Sequence, residues 1–101
     1  MFPTPIPGIS VSHYMQGRLR LRVDKLKSAP AVSKQFEERL GVVHGMLHVE
    51  AKPLTGSLLL EFDPEQILTT QARDELVSAL RDLFPEVDQE QVDKLLAKAF
   101  G

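Results

Sequence analysis

Residues 18–23 alternate strictly between arginine and an aliphatic side chain, and this period of two predicts a half-buried β-strand. One face of the strand is apolar and is expected in the core, whereas the other is cationic. The apolar positions are Leu19, Leu21 and Val23, and the cationic positions are Arg18, Arg20 and Arg22. Residues 9–11 alternate in the same way, which allows the strand to begin at Ile9, with Gln16-Gly17 as a bulge or bend inside it.

Two further alternating segments, residues 47–52 and 57–62, flank the turn sequence Pro53-Leu54-Thr55-Gly56 and predict an antiparallel hairpin. Its core-facing positions are predicted to be Leu47, Val49, Ala51, Leu58, Leu60 and Phe62. The opposite positions are expected to share a face with the three arginines, and they include His48, Glu50, Leu59 and Glu61.

A stripe of apolar residues at helical spacing predicts a first helix that opens at Pro30, where the missing N–H of proline does no harm. Its stripe consists of Val32, Phe36, Leu40 and Val43. Gly41 and Gly45 are both candidates for its end. We expect the helix to end at Gly45, because Val43 continues the stripe.

Two more helices are predicted after the hairpin. The second is capped by Thr69 or Thr70 and ends before Pro85, and the third opens with a capping box of Asp88 and Gln91. The second stripe is Ala72, Leu76, Leu80 and Leu83, and the third is Val92, Leu95, Leu96, Ala99 and Phe100.

This order predicts an α+β fold, a ferredoxin-like open-faced sandwich with an antiparallel sheet. A right-handed crossover through the first helix would place two helices on one face of the sheet. The extra C-terminal helix is expected where the usual fourth strand lies, which would leave the first strand as a bare edge. The predicted organisation is an extended lead-in over 1–8, the ferredoxin-like domain over 9–84, and a C-terminal amphipathic helix over 85–101.

The amino-acid composition excludes several classes of function for this chain. The 101 residues suit one domain, and the absence of cysteine excludes disulfides, thiolate metal sites and cysteine nucleophiles. The net charge of −2 gives no global field for nucleic acid. The longest apolar run, Leu58-Leu59-Leu60, is far too short for membrane insertion. With no signal peptide recognisable at the N-terminus, we expect a cytoplasmic protein.

Two segments, Gly17–Val23 and Lys52–Pro64, resemble a bacterial heavy-metal-associated-like domain family. That family is a cysteine-free relative of the copper-chaperone domains and occurs alone or ahead of P-type metal ATPases. The resemblance implies the ferredoxin-like fold and a link to metal transport or homeostasis. In true chaperones a Met-x-Cys-x-x-Cys loop joins the first strand to the first helix. The matching loop here, residues 24–30, has one carboxylate and two ammonium groups, so no metal ligand is carried over.

The three histidines are the remaining candidates for a metal site. His44 and His48 are four residues apart, which would suit chelation on one helix face, but Gly45 and the start of a strand lie between them. His48 is expected on the open sheet face, with His13 on a neighbouring strand. We expect solvated histidines rather than a metal site, and we expect no cofactor.

The arginine row, Arg18, Arg20 and Arg22, has two interpretations. Glu50 and Glu61 share its face, which favours a self-neutralised solvent surface. The alternative is a recognition face for phosphate or for an acidic protein. Binding of nucleic acid is not expected, because the predicted strands offer only Tyr14 and Phe62 as stacking aromatics and Phe62 faces the core.

No catalytic motif is present, so we expect a non-enzymatic binding module that docks to a membrane metal transporter or another partner protein. The alternatives are a self-associating structural or regulatory protein and a weak histidine-based metal binder. The stripe of the third helix is too apolar to face water. We expect it either to associate with another chain, together with the bare first strand, or to pack on its own domain.

Overall fold

The computed structural model describes residues 2–3 and 6–100, with side chains described from 6 to 97. Within this part, five strands form one sheet in the order β1-β2-β3-β5-β4, with every neighbouring pair antiparallel. The strands are β1 (Phe2–Pro3), β2 (Ile9–Met15), β3 (Arg18–Val23), β4 (Met46–Lys52) and β5 (Ser57–Phe62). The helices are α1 (Pro30–Gly41), α2 (Thr70–Leu83) and α3 (Gln89–Phe100). This architecture confirms the α+β ferredoxin-like fold.

The position beside β3 is occupied by β2, not by the C-terminal helix. Residues 9–23 form two antiparallel strands joined at Gln16-Gly17, with Met15 paired to Arg18 on either side of the turn. Gly17 allows this reversal because it adopts a φ of +82°, and a Cβ there would lie 3.1 Å from the carbonyl oxygen of Phe62. The expectations of one long strand and of a bare first-strand edge are therefore wrong, since β3 is hydrogen-bonded on both sides.

The core lies between the sheet and the three helices. The strand alternations of β3 and β5 are confirmed, because their predicted core-facing positions, Leu19, Leu21, Val23, Leu58, Leu60 and Phe62, are all buried. Phe36 of α1 is 1% exposed and packs edge-to-face on Phe84, with the ring centroids 5.4 Å apart. The predicted stripe of α2 is buried throughout, at Ala72, Leu76, Leu80 and Leu83.

Helix α3 belongs to the same core. Its capping box is formed as predicted: the N–H of Gln91 donates to Asp88 Oδ1 at 2.9 Å and the N–H of Asp88 donates to Gln91 Oε1 at 3.0 Å. The side chains of Val92, Leu95 and Leu96 are at most 4% exposed. Of the two expectations for this stripe, the structure forms the intramolecular one. The side chains of Ala99 and Phe100 lie outside the described residues.

Helix α1 ends at Gly41, so the expected end at Gly45 is wrong. Val43 is nevertheless buried, because the chain turns back into the core after the helix has ended. Gly45 does not end the helix but allows the chain to pass close to the backbone near Ile67. Its φ is +87° and a Cβ there would lie 2.9 Å from the backbone nitrogen of Ile67, so only glycine fits this close approach.

Leu47 does not face the core as predicted but is 72% exposed. The register between β4 and β5 shifts between Met46, which pairs with Phe62, and His48, which pairs with Glu61. Leu47 is the extra residue of this irregularity, and a bulged residue leaves the strict alternation of the strand.

The N-terminal lead-in is part of the fold. Strand β1 pairs with β2, with Phe2 opposite Val11. Ile6 is 1% exposed and belongs to the core cluster. The core therefore draws side chains from both ends of the chain as well as from the central strands.

Candidate functional site

The sheet surface turned away from the helices is here named the outer sheet face. It is built from every second residue of β3, β5 and β4 and from Ser10, His13 and Met15 of β2, whose register shifts between Val11 and His13. The strand registers arrange these residues in three rows. The rows are Ser10–Arg22–Ser57–Lys52, His13–Arg20–Leu59–Glu50, and Met15–Arg18–Glu61–His48. The three arginines therefore form one column, all solvent-exposed, near the middle of this surface.

The outer sheet face carries a charge opposite to that of the chain. Its ionised side chains are four cations and two carboxylates, a net charge of +2: Arg18, Arg20, Arg22, Lys52, Glu50 and Glu61. The whole chain has a net charge of −2, so the remaining residues carry −4. The protein is thus electrostatically two-sided, with a cationic sheet surface and an acidic remainder.

The guanidinium groups of the arginine column have no ion-pair partner within 4.0 Å among the described side chains. The cross-strand neutralisation expected from Glu50 and Glu61 is not formed. Glu50 lies two strands from Arg20, with Leu59 between them, and its carboxylate is instead 4.0 Å from the ammonium of Lys52. Glu61 is directly opposite Arg18 in the register, so it moderates the charge at that end of the column.

A shallow groove opens on the outer sheet face beside the β4–β5 turn. It is lined by Arg20, Glu50, Lys52, Thr55, Ser57 and Leu59. The hydroxyl oxygens of Thr55 and Ser57 lie 2.8 Å apart. Lys52 and Ser57 lie on this face as the period-two alternation of the two strands predicts, at the positions opposite the core-facing ones.

The histidines are dispersed. His13 lies on β2 and His48 on β4, three strand spacings apart, which corresponds to about 14 Å. The expectation that His13 neighbours the strand of His48 is therefore wrong. His44 lies in the α1–β4 connection, where its Nε2 is 2.6 Å from Gln66 Oε1. A metal ion needs its ligand atoms about 2 Å away, so these residues do not form one site as placed. No cluster of three potential ligands occurs among the described residues.

The loop that follows β3 is held by a lysine. Lys25 Nζ donates to the carbonyl oxygen of Leu83 at 2.7 Å, forms an ion pair with Glu86 at 3.1 Å, and lies 4.5 Å from the ring centroid of Phe84. The resemblance places the metal-binding loop of thiol-containing relatives at this part of the chain. This contact was not predictable from local sequence patterns, because its partners are 58 residues apart along the chain.

Two carboxylates have perturbed titration. The pKa of Glu75 is lowered because the backbone N–H of His44 donates to its Oε1 at 2.7 Å, with Gln71 as a second donor. The pKa of Glu86 is lowered by its own backbone N–H and by Lys25. Glu75 joins α2 to the α1–β4 connection, and Glu86 joins the α2–α3 connection to the one after β3. Neither belongs to the outer sheet face, so their titration bears on stability rather than on the cationic surface.

The void between the sheet and the helices, as formed by the described residues, is too small for a ligand of ordinary size. A void of about 30 Å³ lies between the sheet and the helices and is lined by apolar side chains. Small-molecule sites usually have about 300–1,000 Å³. This void is therefore too small for a small-molecule site, and the outer sheet face is the candidate recognition surface.

Comparison with known proteins gives a family match. The family model described as heavy metal associated domain 2 matches residues 3–94. No curated protein and no solved structure matches the chain significantly. Among the described residues, no helix has both the length and the hydropathy needed to cross a membrane.

Proposed function

The chain belongs to the heavy metal associated domain 2 family, and from this premise we propose that it is a non-catalytic docking module of metal transport. In this proposal it contacts a partner protein through the outer sheet face and holds no soft metal ion. The family supplies the link to metal transport. The partner we propose is a membrane metal transporter, because the domains that the sequence resembles occur ahead of P-type metal ATPases.

The observation that carries the proposal is the column of three arginines, which have no ion-pair partner among the described side chains, in a chain that has no cysteine. Cu(I) favours soft sulfur ligands, and the usual structural zinc sites also draw on thiolates, none of which this chain contains. Exposed guanidinium groups are well suited to carboxylates, which they bind in a planar, two-pronged geometry. The side chains of the outer sheet face are thus suited to contact with the carboxylates of a partner protein.

Self-association is a second candidate, and the two-sided charge distribution favours it. The cationic outer sheet face of one copy is complementary to the acidic remainder of another. Such a contact joins two different surfaces, so it would be head-to-tail and would give closed rings or open chains rather than a two-fold dimer. It would also weaken as salt is added. Light scattering at low and high ionic strength separates this candidate from a monomeric docking module.

The docking proposal is tested by measuring binding of the purified protein to the soluble portion of a metal-transport ATPase from the same cell, with a chelator present throughout. The test variant is Arg18→Gln/Arg20→Gln/Arg22→Gln. The matched control is Lys34→Gln/Arg73→Gln/Lys94→Gln, which removes the same charge from the helical side.

We expect the wild type and the control to bind and the arginine variant to bind about tenfold more weakly, which corresponds to roughly 1.4 kcal/mol shared among three exposed ion pairs. Equal binding of the two triple variants would contradict a role for the outer sheet face. Binding that appears only when the chelator is left out would show that a metal ion is required.

A further inference from the structure

The arginines of β3 form a ladder of constant spacing. Successive rungs are two residues apart on a strand, so their Cα atoms are separated by about 6.8 Å. An extended polypeptide repeats its own alternate side chains at the same distance. A helix presents side chains on one face every three to four residues, at about 5.4 Å, and falls out of step by about 3 Å over three rungs.

From this match we propose that the outer sheet face binds an extended acidic segment of a partner protein with carboxylates at every second position. The inference rests on the proposed docking function and specifies the chemistry of the partner. The segment lies along β3, and its carboxylates meet Arg18, Arg20 and Arg22 in turn. Arginine is the suitable residue for this purpose, because its planar guanidinium pairs with a carboxylate through two parallel hydrogen bonds.

The strand register ranks the three rungs. Arg20 is opposite Leu59 and Arg22 is opposite Ser57, so neither has a carboxylate directly across from it. Arg18 is opposite Glu61, whose charge opposes an incoming carboxylate. The centre of recognition is therefore at Arg20 and Arg22, and Glu61 weakens binding at the third rung.

The charge of the remaining surface directs the segment to this face. The residues outside the outer sheet face carry a net charge of −4 and repel an acidic partner, whereas the face itself carries +2. A single-stranded nucleic acid is also anionic, but its binding relies on aromatic stacking. The twelve residues in the three rows include no phenylalanine, tyrosine or tryptophan. These observations favour a peptide.

The test uses two fluorescently labelled peptides of identical composition, Ser-Glu-Thr-Glu-Thr-Glu-Ser and Glu-Ser-Thr-Glu-Thr-Ser-Glu, with binding followed by anisotropy at low ionic strength. We expect the alternating peptide to bind about fivefold more tightly, because only its carboxylates match the ladder. Equal binding of the two peptides, or no binding of either, would overturn the proposal. Tighter binding of a single-stranded oligouridylate of equal charge would overturn it in favour of nucleic acid.

Single variants test the ranking. Arg20→Gln should weaken binding of the alternating peptide about fivefold, Arg18→Gln should weaken it less, and Glu61→Gln should strengthen it. Lys34→Gln removes one positive charge from α1 and should leave binding unchanged. Should Arg18→Gln cost more affinity than Arg20→Gln, the assignment of the rungs would be wrong.

The peptide experiment and the transporter experiment test the two proposals independently, so the failure of one can be told from the failure of the other. If the peptides do not discriminate but transporter binding still depends on the arginines, docking stands and the extended acidic occupant is wrong. If the alternating peptide binds as expected and the transporter does not, the acidic occupant stands and the transporter is the wrong partner.

Discussion

The ammonium of Lys25 lies 2.7 Å from the main-chain carbonyl oxygen of Leu83, and this contact fastens the connection after β3 to the end of α2. The carbonyls at a helix C-terminus lack partners within the helix and carry partial negative charge, so a cation is stabilising there. Glu86 and the ring of Phe84 complete the surroundings of the ammonium. A lysine thus anchors the part of the chain where the resemblance places a metal-binding loop in thiol-containing relatives.

Replacing Lys25 should destabilise the fold. In Lys25→Met the apolar stem is retained but the charged hydrogen bond and the contact with Phe84 are lost. Because the side chain is 35% exposed, we expect a loss of about 1–2 kcal/mol in the free energy of unfolding. Urea denaturation measures it. Lys27→Met, at an exposed position of the same loop, is the control, and equal effects of the two changes would show that the contact is not stabilising.

Phe36 should be among the most sensitive core positions. It is 1% exposed and stacks edge-to-face on Phe84, so Phe36→Ala leaves a cavity and should cost about 3–5 kcal/mol of unfolding free energy. Val42→Ala is the control, because Val42 is 75% exposed. A measured loss below about 1 kcal/mol for Phe36→Ala would contradict the central placement of α1.

The carboxylate of Glu75 should make stability depend on pH in the acidic range. Its pKa is lower in the folded state than in the unfolded chain, because the N–H of His44 donates to the charged form. The stabilisation is therefore present at neutral pH, where the group is ionised in both states. It is lost as pH falls through the folded-state pKa, since the unfolded chain takes up its proton first.

The comparison of wild type with Glu75→Gln tests this dependence. We expect the wild type to be the more stable protein at neutral pH and the difference to shrink on acidification to about pH 3. Glu38→Gln, at an exposed position on α1, should show no such trend. A difference in stability that stays constant over this range would mean that Glu75 does not titrate as described.

Removal of α3 should unfold the protein. Truncation after Pro85 deletes Val92, Leu95 and Leu96, each of which is buried and contributes roughly 1.5–3 kcal/mol. Their sum is comparable to the total stability of a small domain. Circular dichroism of the truncated chain and light scattering of the intact one provide the measurements. A folded truncated monomer together with a dimeric intact chain would instead assign α3 to association.

The sequence predicted the elements better than their arrangement. Periodicity located β3, β5 and the core stripe of α2, and the capping pair Asp88 and Gln91 fixed the start of α3. The reversal at Gly17 was not predictable in the same way. Alternating segments lie on both sides of this glycine, over residues 9–11 and 18–23. A bulge within one strand and a turn between two strands would both produce this sequence pattern.

For the candidate site too, the sequence predicted which residues share a face but not how the strands are arranged. Alternation alone placed Arg18, Arg20 and Arg22 on one exposed face, as the structure has them. Which side chain lies across from each arginine depends on strand order and register, which follow from long-range pairing rather than local pattern. For that reason the sequence did not reveal the distance between His13 and His48 or the separation of Glu50 from Arg20.

The central proposal is that this member of the heavy metal associated domain 2 family works without holding a metal ion, and calorimetric titration with Zn²⁺ and with Cu(I) at neutral pH tests it most directly. The account predicts no stoichiometric binding tighter than about micromolar, because the chain has no thiol and its histidines are dispersed. Stoichiometric binding below about micromolar that is abolished by His13→Ala or His48→Ala would contradict the account.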